Sequence, residues 1–181
     1  LVDYDNAGAG IPASVSITGT ADWWPNNDTI VPPAGSDAYN VFNGMVDWKG
    51  YTYPTGTVGI TIAFTNLVST RRYTFVLFGA RAPYTSRHTL TTLSGAAAYT
   101  NNSSAGTTIF TSTAPNDSTR VVANNTNGMV TSFIEIDPGA DGAIAFHVRA
   151  VDDFGAPTNG YANCFMLQEI DPPAPPVTNT T

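Results

Sequence analysis

Two histidines, His88 and His147, and two glutamates, Glu135 and Glu169, are the side chains of this chain best suited to moving protons. Their settings argue against it. A Ser–His–acid triad needs a serine presented on a sharp turn, and no Gly-x-Ser-x-Gly occurs. Both histidines fall on predicted strands, where a half-exposed structural ring is the simpler reading. A glycosidase opposes two carboxylates across a cleft with their pKa values pushed apart, whereas Glu135 and Glu169 sit near predicted strand ends beside acidic neighbours that read as turns. The pattern predicts a protein without catalytic residues.

Metal chemistry has one candidate, Asp137-Pro138-Gly139-Ala140-Asp141-Gly142, which Asp152 and Asp153 can join. Calcium takes six to eight oxygens and a hairpin supplies some of them, but Asp and Gly are also the residues a tight turn selects. A turn without an ion is therefore the expectation, with no cofactor and at most a structural calcium. Cys164 is the single cysteine, so it forms no intramolecular disulfide and no thiolate cluster. It lies in the apolar run 161–170, where a buried, inert thiol is expected.

Aromatic rings give a second chemistry. Sugars stack their apolar faces on flat rings, and Trp23, Trp24, Trp48, Tyr51, Tyr53 and Tyr84 all fall in predicted loops or strand ends. A carbohydrate-binding module built on these rings is the alternative function, with polysaccharide as its partner. The competing reading is that loop aromatics cap the open ends of a sandwich.

Six Asn-x-Ser/Thr sequons begin at Asn27, Asn101, Asn102, Asn116, Asn124 and Asn179. They fall in polar connecting stretches or the tail, as acceptor sites on surface loops would. One lysine, one cysteine and a first residue Leu1 complete the profile of a processed, exported, extracellular or cell-surface protein. Charged residues are only 12% of the chain, about half the usual share, so Thr, Asn and Ser must carry its solubility. A net charge of −7 leaves nothing to neutralise phosphates, which excludes nucleic acid and disfavours anionic membrane surfaces. No stretch approaches the roughly 18 apolar residues of a membrane helix.

The elements that must position these residues are strands. Helical periodicity is nearly absent, while Val58, Ile60, Ile62 and Phe64 alternate with polar or small residues and 73–78 runs apolar on both faces except at Thr74. The short connection 66–71 predicts that these two strands are adjacent and antiparallel. Residues 133–136 and 144–148 flank the Pro/Gly turn and read as a hairpin. The run 161–170 is apolar at both parities and should be central in its sheet. Further strands are expected at 13–20, 87–93, 107–111 and 119–123, whereas 23–28 reads as a polar loop carrying two tryptophans. About eight to ten antiparallel strands between Gly/Asn/Asp turns predict an all-β, two-sheet β-sandwich of jelly-roll type, with no internal repeat. It should occupy residues 1–170, followed by a Pro-rich extension at 171–181.

Several ordered strings carry a resemblance. They are 36–47 (SDAYNVFNGMVD), 64–67 (FTNL) leading to 72–75 (RYTF), 84–87 (YTSR), 93–96 (LSGA), 101–106 (NNSSAG), 124–128 (NNTNG), 136–142 (IDPGADG) and 164–169 (CFMLQE). Together they resemble a β-sandwich module of secreted bacterial proteins, found in large multi-modular cell-surface polypeptides and sometimes attached to hydrolases. The resemblance covers most of residues 36–170 and implies location and architecture rather than an activity. His88 stands where the pattern has an aromatic or aliphatic residue, and the paired tryptophans and the Pro-rich tail lie outside it.

The tail gives the leading functional expectation. Pro172, Pro173, Pro175 and Pro176 form a stiff, polyproline-like spacer that loses little entropy on docking and can carry Val177 and its neighbours to another subunit. Leu1, Val2 and Tyr4 are candidates at the other terminus. A sandwich with an open edge accepts such a segment as an added strand, and repeating that contact head to tail builds a fibre. The expectation is a non-catalytic structural or adhesive protein, forming a homopolymer or joining other surface proteins in a filament or layer.

Overall fold

The computed structural model describes residues 2–3, 9–10, 12–19, 21–25, 30–48, 50–54, 58–110 and 116–170. At the start, β1 (Val2–Asp3) pairs with β2 (Ala9–Gly10). The sandwich itself uses ten strands. Six form one sheet, in the order β10 (Thr108–Phe110), β11 (Ser118–Val122), β8 (Arg87–Ser94), β13 (Ile144–Asp152), β6 (Ile60–Thr65) and β3 (Ser14–Gly19). Four form the facing sheet, β14 (Cys164–Ile170), β7 (Arg72–Phe78), β12 (Thr131–Asp137) and β9 (Ala98–Asn101). Every pairing is antiparallel. Strands β6 to β9 alternate between the two sheets, and β11 to β14 do so again, in the manner of a jelly roll.

That alternation corrects two expected neighbourhoods. The strands β6 and β7 do not pair, and neither do β12 and β13; each short connection crosses from one sheet to the other. A turn of about six residues spans the roughly 10 Å between sheets as readily as the 4.8 Å between strands. Gly142 makes the second crossing possible. It adopts φ 61°, its carbonyl accepts from Leu67 N at 2.9 Å, and a Cβ there would strike the Leu67 carbonyl.

Inward-facing alternate residues build the main core, including Ile62, Phe64, Phe75, Phe133, Phe146 and Val148. Phe75 and Phe146 stack across the two sheets with centroids 3.5 Å apart, and Phe64 meets both edge-on. Each such buried ring contributes about 1.5–3 kcal/mol.

The outer face of the four-stranded sheet is covered as well. Against Val76 and Phe78 pack α1 (Asp37–Phe42), Trp48 and the β14 residues Cys164 and Met166. Ser36 caps this helix by accepting from Tyr39 N at 3.3 Å, and Ala38 N donates to the Gly128 carbonyl at 3.0 Å. The helix explains a further correction: among the described residues β14 is an edge strand with β7 as its one partner, not a central one. Its second apolar face is partly buried by a helix and loop rather than by another strand.

Residues 23–25 are likewise not loop. They belong to β4 (Ala21–Pro25), which pairs with β5 (Gly50–Pro54) in a separate ribbon.

The two long sides of the sandwich differ. Where β9 approaches β11, Asn101 Nδ2 donates to the Asn116 carbonyl and to Thr119 Oγ1, both at 2.8 Å. Its Oδ1 accepts from Ser103 N at 3.2 Å and Ser103 Oγ at 2.7 Å. Ser132 N closes the network on Ser103 Oγ at 3.0 Å. The opposite side, between β3 and β14, has no such lacing among the described residues.

Candidate functional site

Strands β3 and β14 are the outermost strands of their sheets and lie on the same side of the sandwich. Between them runs an apolar slot. Val15, Phe165 and Leu167, with Phe42 and Met45, line a cavity of about 460 Å³. Ile17, Ile60, Cys164 and Phe165 line a second of about 280 Å³, and the shared Phe165 makes the two continuous. Alternation in β3 points Val15 and Ile17 to the core side, yet they remain 41% and 56% exposed, and Met45 at the rim is 76% exposed. Val15 and Ile17 thus face Phe165 and Leu167 across the cavities, without close packing among the described residues.

Each end of the slot is closed. At one end Thr52 of β5 and Ala162 exchange two backbone hydrogen bonds of 2.8 Å, which seats the β4–β5 ribbon beside the start of β14. At the other, Glu169 pairs with Arg71 at 3.4 Å and accepts from Tyr73 Oη at 3.1 Å, while Tyr73 Oη accepts from Val68 N at 2.8 Å. Burial first, and then the Glu169 charge, push the Tyr73 hydroxyl up to about 12, so it remains a neutral donor to the carboxylate. Cys164, also pushed up to about 12 by burial, lines the slot as an uncharged thiol. The arrangement offers two strand edges and an apolar floor, which is what an added strand needs.

Of the rings expected to form a sugar platform, Tyr51, Tyr84 and Trp48 have described side chains. Tyr51 is 1% exposed and meets Tyr161 edge-on at 5.3 Å. Tyr84 stacks on Tyr161 at 5.9 Å beneath the Arg87 guanidinium at 3.9 Å, and Arg81 lies 5.1 Å from both Tyr51 and Tyr84. Trp48 packs edge-on against Phe42 and Phe78. These three rings are spent on internal packing, of which the cation–π contacts alone contribute about 0.5–2 kcal/mol each. Trp23, Trp24 and Tyr53 lie on the β4–β5 backbone, and their side chains are outside the described set.

His88 is buried on β8, with Nε2 3.6 Å from Asp153. Burial, and secondarily the nearby Arg120 charge, hold it below the usual histidine range despite that carboxylate. His147 gives Nε2 to the Val58 carbonyl at 2.5 Å. Glu135 lies within β12 rather than at its end, exposed at a bulge with φ 53°. Asp137 pairs with Arg72 at 3.0 Å and accepts from Gly139 N at 2.9 Å; Asp152 accepts from Phe154 N and Ala156 N. Both carboxylates shape turns. Among the described residues, no group of three His, Cys, Asp or Glu side chains could hold a metal ion.

Asn102 and Asn116 are exposed and Asn124 is half-buried, whereas both amide protons of Asn101 are already engaged. Leu1, Tyr4, Asn27, Asn179 and all of 171–181, including Pro172, Pro173, Pro175, Pro176 and Val177, lie outside the described residues, and Val2 is described only as part of β1.

No family model matches the chain, and no curated protein matches it. Among solved structures it is similar to the enzymatically active domain of tailspike protein 4 of bacteriophage CBA120, at 14% identity and a TM-score of 0.39. The match covers 87% of this chain and 19% of that one.

Proposed function

We propose that this protein is a non-catalytic, extracellular structural or adhesive module whose copies associate through the slot between β3 and β14. One observation carries the reading: Val15, Ile17, Phe165 and Leu167 line a gap in the sandwich wall between two strands that each have one neighbour among the described residues. The occupant is residues 171–181 of another copy. They continue from the end of β14, and their five-residue Pro-rich stretch, at about 3.1 Å per residue, can reach roughly 15 Å before Val177. One copy's extension in the next copy's slot is a head-to-tail contact, and repetition gives a filament or layer. The six sequons and the low charge content of 12% support an exterior location and large, permanent contacts.

Deleting residues 171–181 tests this reading. Light scattering should show the full chain as multimers and the truncated chain as monomer, and negative-stain images should lose their filaments. Unchanged particle size after the deletion would remove the extension from the interface.

A further inference from the structure

The outer face of the six-stranded sheet carries a second concavity, of about 690 Å³. Its floor is Leu90 and Thr92 of β8. Strand register places Arg149 of β13 beside Leu90 on one side and Arg120 of β11 on the other, so two guanidinium-bearing residues stand on one face, two strands apart, at roughly 10 Å between Cα atoms. Phe110 forms a side wall, and the turn 153–155 overhangs the rim.

Arginine is scarce here, with six in a chain of net charge −7, and most have identifiable work. Arg71 and Arg72 pair with Glu169 and Asp137. Arg81 and Arg87 lie over the tyrosine cluster. Arg120 donates to the Asp153 carbonyl at 3.0 Å and lies 5.5 Å from the Phe110 ring. Arg149 makes no hydrogen bond or ion pair with any described residue, although it is half-buried in the concavity wall. Its planar fork is suited to a carboxylate held by two parallel bonds.

The other walls suit a sugar. Phe154 at the rim is 95% exposed, and it is held there by a turn in which Asp152 Oδ1 accepts from Phe154 N at 2.9 Å and Ala156 N at 2.8 Å. A ring fixed in water on a tied turn is a stacking surface for an apolar sugar face. His147 contacts the Val58 carbonyl through Nε2 and has its second ring nitrogen left to bond a hydroxyl. Asp117 and Ser118 add a carboxylate and a hydroxyl. With the carboxylates of Asp117 and Asp153 against two arginines the concavity is close to neutral, so an anion there is held locally, by the Arg149 fork, rather than by the net charge of the site.

We infer that this concavity binds a carboxylate-bearing saccharide of the uronic acid class, with Arg149 holding the carboxylate and Phe154 stacking on the ring. The site shares no lining residue with the β3–β14 slot, so it stands or falls independently of self-association.

Titration calorimetry of the full chain with an oligogalacturonate and with its neutral methyl ester tests the inference. The acid form should bind about tenfold or more tightly than the ester, and Arg149→Ala should remove about that factor. Arg149→Lys should fail to restore it, and Phe154→Ala should weaken binding several-fold, with unchanged circular dichroism establishing that each variant is folded. Equal affinity for acid and ester, an unaffected Arg149→Ala variant, or no binding of the wild type at millimolar oligogalacturonate would each overturn it.

Discussion

The two long sides of this sandwich solve the same problem in opposite ways. Between β9 and β11 the sheets are joined by side chains that use their full hydrogen-bonding capacity, with Asn101 alone giving two bonds and accepting two. Between β3 and β14 the facing residues are Val15, Ile17, Phe165 and Leu167, and cavities of about 460 and 280 Å³ separate them. A polar-laced side is complete within one chain, because each donor has its acceptor. An apolar side with two exposed strand edges is not, since edges of that kind are ordinarily blunted by charge, proline or a covering element. On the proposed reading the two sides have different tasks: the first stabilises the monomer and the second receives a neighbour.

Substitutions on the two sides should separate these tasks. The largest effect on folding belongs to the laced side, where Asn101→Ala strands the Ser103 and Thr119 partners and should cost about 2 kcal/mol, read by urea denaturation of the 1–170 chain. A loss within error would show that the lacing is decorative. A smaller effect comes from His88, on the strand between β11 and β13. Its folded pKa lies below the unfolded value of about 6.5, so the unfolded chain takes up more protons as pH falls. Stability should hold above about pH 6.5 and decline below it, and His88→Leu should flatten that part of the profile. Parallel melting-temperature curves for the two proteins between pH 7.5 and 5 would contradict the assignment. Least of all should follow from Ile17→Lys on the open side: the side chain is already more than half exposed, and monomer stability should change by less than about 0.5 kcal/mol.

Strand positions could be read from the sequence because alternation is local. Ser14–Gly19, Arg87–Ser94 and Ser118–Val122 form within a residue or two of where polarity alone places them. Which strands pair could not be read so directly. The Asp137–Gly142 turn has the Pro and Gly of a hairpin, yet it carries the chain across to the other sheet, and its dihedral demands are met either way. The run ending at Ile170 shows how burial can mislead: apolar residues at both parities report two covered faces, but a helix and loop cover one of them without supplying a strand neighbour. The paired tryptophans were hidden by their setting, since Pro25 and the polar residues after it obscure the short strand to which they belong.

Function was less legible for the same reason. Val15 and Ile17 carry an ordinary strand pattern, and only the separation of β3 from β14 reveals that they face a gap. Arg149 shows no sequence signal beyond its alternation with Val148 and Ala150. Its place beside Leu90, on one face with Arg120, emerges from the register across three strands. Ring content in the sequence says nothing of orientation: Tyr51 and Tyr84 are recruited by Tyr161, Arg81 and Arg87 into a cluster of their own.

The most direct test of the open side is sedimentation velocity on the full chain across a concentration series, beside the Ile17→Lys variant. The wild type should sediment as species that grow with concentration, and the variant should remain a 19.0 kDa monomer with an unchanged melting temperature. A wild type that stays monomeric throughout, or a variant that associates as readily, would show that the slot is a surface feature and not a joint.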